Sequence, residues 1–241
     1  MSEIARAALA SGASDLNLVE MASAGSFGTD EGNTHRDLKR RILGAAGFIT
    51  PTPTTIQVPL LNIRGDSAKV EMREIDILLP HDYLASMCQH ALFSDDLFGN
   101  SRLKKFWAKQ SMSDPKWVSN PLAAQPKDSV IPFLVHGDGA EFQDNESINV
   151  LSFRSLLSNG PTSSRQFLLV AIPKRVVCTQ KVHGRDTMHE VWKWLVWSFN
   201  ALFEGKHPVK LPDGSQIQDP QRAAVAGKAL DPKRKLRGVR A

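Results

Sequence analysis

The sequence has little of what anchors a chain covalently or in a membrane. It contains only two cysteines, Cys88 and Cys178. Cysteines so far apart in the chain form neither a disulfide framework nor a thiolate zinc site. No run approaches the ~18 apolar residues that a membrane span needs, and the first residues lack the basic and apolar segments of a secretory signal. We therefore expect an intracellular protein with no membrane partner.

Outside its C-terminal end, the chain has no excess of charge of either sign. Residues 228–241 hold six basic residues and one acid, which equals the whole net charge of +5. The sequence pI therefore does not indicate a nucleic-acid-binding core. The end itself could bind nucleic acid or act as a nuclear import signal, and a solvated tail is the alternative. The candidate nucleic-acid-binding residues are Lys233, Arg234, Lys235, Arg237 and Arg240.

Composition divides the chain into four parts. Residues 1–34 are rich in Ala, Ser and Gly, which predicts a disordered N-terminal segment. Residues 35–126 read as a small mixed α/β region, and residues 127–210 as a half domain of strands and one helix. Residues 211–241 are expected to be a basic flexible tail.

The mixed region contains two strand patterns and two helix patterns. Ile56–Ile63 and Lys69–Leu79 are predicted strands joined by a turn at residues 64–67. Pro80 suits the first turn of a helix, and apolar residues at helical spacing predict a second helix over Ser101–Gln110.

Three short apolar runs follow, and an isolated acid stands beside the first. The runs are Val130–Val135, Ile148–Phe153 and Phe167–Ile172. Short runs rich in branched residues and separated by turn residues predict three adjacent strands. Asp138 follows the first run between two glycines, so it is either a carboxylate presented at a strand end or part of a plain turn.

A strongly apolar helix is predicted after the third run. Thr187 and Glu190 have the spacing of a capping box, and Gly205 supplies the stop. A helix that is apolar on nearly all sides must be covered on more than one face. The sheet and the preceding helical region should cover most of the segment Trp192–Trp197. A second copy of the chain or a missing C-terminal segment could cover the remainder.

The ordered motifs resemble a family of multicopy, transposon-like proteins of protists, particularly dinoflagellates, which are similar to the transposases of CACTA-type elements. The resemblance spans about residues 35–215. It rests on segments that begin at Arg36, Thr52, Gln57, Ile77, Phe106, Val135 and Trp192: RDLKRR, TPT, QVP, ILLPH, FW, VHGDG and WKWLVWS. It implies an α+β fold with a partial RNase H-like β-β-β-α core at residues 129–205, and an ancestry in DNA transposition.

The resemblance also implies a metal-dependent chemistry. Strand transfer in this class uses two divalent ions, Mg²⁺ or Mn²⁺, held by carboxylates from separate elements. Asp138 matches the first carboxylate and is the candidate catalytic and metal-binding residue. The second should follow a fourth strand, and no apolar strand is evident after Phe203. We therefore expect a fragment or diverged copy that is inactive alone, or a non-enzymatic nuclear protein that binds nucleic acid through its basic tail.

A second metal-binding pattern is weaker. His183, Asp186 and His189 are spaced three apart, and His136 lies at the end of the first predicted strand of the half domain. Imidazoles and a carboxylate suit zinc. However, Asp186 and His189 straddle a predicted helix start, where polar caps are expected anyway.

Overall fold

The chain divides into two units, residues 1–50 and residues 51–241. The computed structural model describes residues 10–11, 51–64, 67–89, 98–113, 119–125, 128–143, 146–159, 165–180, 184–233 and 237–240. The prediction for residues 1–34 lies almost wholly outside this part of the chain. Everything below concerns the second unit, whose fold is mixed α+β. None of the helices in these ranges is long and apolar enough to cross a bilayer.

The second unit begins with an antiparallel hairpin. Strand β1 covers Thr54–Arg64 and strand β2 covers Ser67–Ile77. On one face Ile56 and Val58 are buried in the core. On the other face Thr55 and its neighbours bond polar side chains of the facing strand. This period-two alternation is what the two predicted strands require, and both are confirmed.

Two helices follow the hairpin. Helix α1 covers Pro80–Gln89, and helix α2 covers Leu103–Ser113 after a single 3₁₀ turn. The indole of Trp107 is buried and donates its Nε1–H to the carbonyl of Val130 at 2.7 Å. This bond fixes α2 against the main sheet, and both predicted helices are confirmed.

Within the described residues the main sheet has four strands. Three of them, β3 (Val130–Gln143), β4 (Glu146–Ser155) and β5 (Phe167–Pro173), form consecutive antiparallel pairs. The three apolar runs are therefore adjacent strands of one sheet, as predicted. A 3₁₀ turn, Lys174–Val176, follows β5.

The fourth strand is β6, Arg237–Arg240, which pairs in parallel with β3 at Val130–Phe133. The strand order is β5-β4-β3-β6. Gly238 is required here, because a Cβ at this position would lie 2.6 Å from the Phe133 ring.

Helix α3, Thr187–Glu204, packs against the sheet and ends at Gly205, whose φ is 70°. The predicted capping box is wrong. Asp186 caps the helix by accepting the His189 N–H at 2.8 Å, while Glu190 pairs with Arg185. The Thr187 hydroxyl has other partners, since it accepts the Cys178 N–H and donates to the Pro59 carbonyl.

The coverage of α3 is uneven. Val191, Leu195 and Leu202 are buried in the core. Trp194 and Trp197 pack partly against it, whereas Trp192 is 37% exposed. All three indoles are therefore more than half covered, and Trp192 is the most exposed of them.

The segment 211–241, expected to be flexible, contains regular structure in its described residues. Helix α4 covers Pro220–Val225. Leu230 is buried, and its N–H donates to the Gly205 carbonyl at 2.9 Å. The sequence did not predict this structure, because the segment is held by backbone pairing and by the buried Leu230. Neither gives a strong periodic pattern in the sequence.

Candidate functional site

Asp138 lies within β3 rather than beyond its end. The strand continues through both glycines to Gln143, and Asp138 faces Val150 of β4. Neither Gly137 nor Gly139 has a positive φ, so the turn interpretation is wrong as well. Sequence alone misplaced the strand end because glycine is a common signal of a turn, whereas pairing with β4 continues the strand here.

The surroundings of Asp138 do not fit a two-metal centre. Its side chain is 71% exposed and lies 3.8 Å from that of His136, which is 50% exposed. One of its oxygens accepts the neighbouring Gly139 N–H at 2.8 Å. Among the described residues no second carboxylate joins it in a metal-binding group. A single carboxylate does not hold two Mg²⁺ or Mn²⁺ ions.

A cleft lies beside β3, on the face of the strand opposite to Asp138. An apolar groove of about 420 Å³ separates the sheet from α3. Its walls include Phe133 and Val135 of β3 and Trp192 and Val196 of α3. Because side chains alternate along a strand, Asp138 points away from this groove. The groove has no acidic residue in its lining.

The candidate nucleic-acid-binding residues are spread over several environments. Lys233 is exposed, and its backbone N–H bonds Asp231 at 3.0 Å. Arg237 and Arg240 begin and end β6. Arg234 and Lys235 lie outside the described residues.

The predicted histidine pattern near α3 is not brought together as a site. His189 is exposed on the first turn, and Asp186 serves as the cap. His183 lies outside the described part of the chain. His136 is beside Asp138 instead.

A different polar cluster forms where α1, α3 and the segment after α3 meet. His81, Asp82 and His207 each present a potential ligand atom, and these atoms all lie within 4.8 Å of one another. The Nε2 atom of His81 is 3.2 Å from an Asp82 oxygen. The rings of His81 and His207 meet edge to face, with centroids 6.1 Å apart.

Local structure explains why His81 is held in place. It follows Pro80 in the first turn of α1, where backbone N–H groups have no helical partner. The His81 N–H donates to the Ser198 Oγ at 3.1 Å, and the ring Nδ1 is 2.7 Å from the same oxygen. Trp197 packs edge to face against the ring at 5.2 Å.

His207 and Asp82 are positioned by the segment that follows α3. The His207 N–H donates to the Lys228 carbonyl at 2.8 Å, and its carbonyl accepts the Gly227 N–H at 3.0 Å. Arg222 of α4 reaches Asp82 at 2.5 Å and Thr54 at 2.8 Å. The ion pair leaves the other Asp82 oxygen directed at His81.

Burial dominates the electrostatics of this cluster. It lowers the pKa of His81 well below its usual value, and the charge of Arg222 acts in the same direction. Burial also lowers the pKa of His207. Burial raises the pKa of Asp82, while the nearby Arg222 opposes that change. Both imidazoles are therefore neutral at pH 7, which is the form that binds metal ions.

The contacts of Ser198, His81 and Asp82 join a hydroxyl, an imidazole and a carboxylate, as nucleophilic sites do. Ser198 and His81 are almost completely buried, so no substrate reaches the hydroxyl. The Ser198 oxygen also accepts a backbone N–H. The hydroxyl therefore orients the imidazole and does not act as a nucleophile.

Sequence reasoning missed this cluster. His81 and Asp82 are adjacent in the chain, but His207 lies far away, and no ligand spacing relates them. The one usable signal was the polar pair directly after the apolar stretch at residues 77–79 and Pro80. The packing of α1 against α3 and the backbone bonds of the segment after α3 together bring the two imidazoles close.

No protein-family model, curated protein or solved structure matches this chain. The resemblance to transposase-like proteins therefore stays a prediction from the sequence motifs.

Proposed function

We propose that this chain is a fragment or diverged copy of a transposase-like protein of DNA transposition, and that it does not cleave DNA by itself. The observation that carries the proposal is the order of elements in the main sheet. Three antiparallel strands are followed by the long helix α3 and then by β6, which lies beside the first strand. An RNase H-like core begins with the same three strands and helix, and a fourth strand follows.

The absence of autonomous cleavage follows from the position of Asp138. In the family pattern this residue would hold the first metal ion together with carboxylates from other elements. Here it is exposed on the face opposite α3, and the Nε2 atom of His136 lies 3.8 Å from its carboxylate. The described residues therefore supply one of the ligands needed to stabilise attacking and leaving oxygens.

A plasmid-nicking assay tests the proposal. The full chain is incubated with supercoiled DNA and Mg²⁺ or Mn²⁺, beside the variant Asp138→Asn. We expect no metal-dependent nicking by either protein. Asp213→Asn is the matched control, because Asp213 is an exposed turn acid. Nicking that is lost in Asp138→Asn and kept in Asp213→Asn would show a working active site and overturn the proposal.

The second candidate is a non-enzymatic nucleic-acid-associated protein. It is favoured by the location of the net charge, all of which is accounted for by residues 228–241. Bound DNA would be contacted through phosphates, so its affinity should fall steeply with salt.

Glutamine substitution of the three basic residues at 233–235 tests this second candidate without removing β6. If they contact phosphates, the slope of log affinity against log salt should fall by up to about 3. The matched control replaces Lys104, Lys105 and Lys109 of α2, which are exposed, with glutamine and changes the charge equally. Equal loss of slope in both variants would contradict a role specific to the tail.

A further inference from the structure

We propose that His81, Asp82 and His207 form a binding site for one divalent transition metal ion of the zinc class. The inference does not depend on the proposed relation to transposases. Its basis is the convergence of two imidazoles and a carboxylate, whose ligand atoms lie within 4.8 Å of one another. Two histidines and one carboxylate are a donor set that favours Zn²⁺, Co²⁺ or Fe²⁺ over Mg²⁺ and Ca²⁺.

The geometry requires a small contraction. Ligand atoms bound tetrahedrally to zinc at about 2.0–2.1 Å are about 3.4 Å apart. The His81 Nε2 and the Asp82 oxygen are already 3.2 Å apart. His207 is less buried than His81 and lies on a loop, so its ring can supply most of the movement.

The hydrogen bonds of His81 suit a metal ligand. In most such ligands, the ring nitrogen that does not bind the metal bonds an oxygen that fixes the tautomer. The Nδ1 of His81 is 2.7 Å from the Ser198 Oγ. A hydroxyl both donates and accepts, so Ser198 is compatible with the proton on either ring nitrogen. With the proton on Nδ1, the Nε2 lone pair is free to bind the ion.

The charges around the site are divided between the two oxygens of Asp82. One oxygen pairs with Arg222 at 2.5 Å, and the other faces His81. Hydrogen-bonded carboxylate ligands of this kind are oriented by their outer partner. The positive charge of Arg222 opposes a cation, and the carboxylate of Asp219, which caps the same helix, partly offsets it.

The site has room for a fourth ligand. His81 is buried, but the Asp82 side chain is 18% exposed and His207 is half-buried. Three protein ligands with solvent access correspond to the zinc sites that retain a bound water. We therefore expect a coordination position that a water or a small anion can occupy.

Metal titration of the chelator-treated full chain tests the proposal. Co²⁺ should bind with one equivalent and give the visible absorption of a tetrahedral nitrogen-oxygen site, and Zn²⁺ should displace it. His207→Gln should weaken Zn²⁺ binding about tenfold or more, as measured by calorimetry. His189→Gln is the matched control, because His189 is exposed and outside the cluster. Its affinity should equal that of the wild type.

The proposal fails if saturable binding is absent, or if His207→Gln and His189→Gln bind Zn²⁺ equally well. Should His207→Gln not fold, NMR of the wild-type imidazoles answers the same question. Zn²⁺ should then shift the ring signals of His81 and His207 and leave His189 unchanged. Shifts confined to His189 or His136 would overturn the assignment.

Discussion

The Thr187 hydroxyl should contribute measurably to the stability of the fold. Thr187 is completely buried at the start of α3. Its Oγ1 accepts the Cys178 N–H at 2.8 Å and donates to the Pro59 carbonyl. One side chain therefore joins the first helical turn, the segment after β5 and strand β1.

Thr187→Val removes the hydroxyl and keeps the shape of the side chain. The Cys178 N–H then loses its partner in the interior, which costs about 1–3 kcal/mol. The Pro59 carbonyl loses one donor, at a further cost of about 1 kcal/mol. The added methyl group returns less than ~1 kcal/mol of this. We expect the free energy of unfolding to fall by about 3 kcal/mol, and the melting temperature by roughly 10 °C.

The assay is urea unfolding followed by tryptophan fluorescence and circular dichroism. Thr187→Ser is the control, since it keeps both hydrogen bonds and loses one methyl group, worth ~1 kcal/mol. The valine variant should unfold at clearly lower urea than the serine variant, with the same slope against denaturant. If valine is as stable as serine or more stable, the hydroxyl does not join these elements and the reasoning is refuted.

Two further predictions concern the sheet. The phenol of Tyr83 donates to the Leu168 carbonyl at 2.9 Å, and burial raises its pKa to about 12. Tyr83 is the sole tyrosine, so phenolate absorbance should titrate near about 12 in the folded chain and near ~10 when unfolded. Because the folded pKa is the higher one, stability should fall as pH rises between these values; identical titrations would exclude the buried phenol. Gly238→Ala should cost about 1–3 kcal/mol, because its Cβ would meet the Phe133 ring at 2.6 Å. Gly139→Ala is its matched control, since a Cβ there meets nothing within 4 Å, and equal thermal shifts would contradict the close packing of β6 against β3.

Much of the fold could be predicted from strong local patterns. Alternation at Ile56 and Val58 identified the hairpin, and the apolar runs identified three strands of the main sheet. The helix stop at Gly205 was predictable, because the left-handed conformation there strongly favours glycine. In each case, the local pattern and the tertiary structure require the same residues.

The remaining elements depend on contacts that no local pattern reports. Strand β6 is mostly polar, and its position is determined by backbone pairing with β3. The strand around Asp138 continues through its glycines because β4 pairs with it. Asp186, and not the predicted Thr187, caps α3, because the threonine hydroxyl is bonded to the Pro59 carbonyl, far away in the chain.

In the candidate site, too, the features that depend on long-range contacts could not be predicted from the sequence. Asp138 was predicted as a metal ligand at a strand end between two glycines, yet its carboxylate is exposed. It belongs to no group of three or more potential metal ligands among the described residues. Neither His81 nor His207 could be predicted as a metal ligand, because they become neighbours only through long-range packing. A ligand set assembled from distant segments has no spacing that a single sequence reveals.

Residue-resolved NMR broadening by paramagnetic ions tests most directly where this chain binds divalent metals. Backbone amide signals are followed during separate titrations with Co²⁺ and Mn²⁺. We expect Co²⁺ to broaden the amides of Asp82 and His207 first, and neither ion to broaden Gly139 or Val150 beside Asp138 selectively. Selective broadening of Gly139 and Val150 by Mn²⁺, with His207 unaffected by Co²⁺, would contradict both the metal-site assignment and the isolation of Asp138.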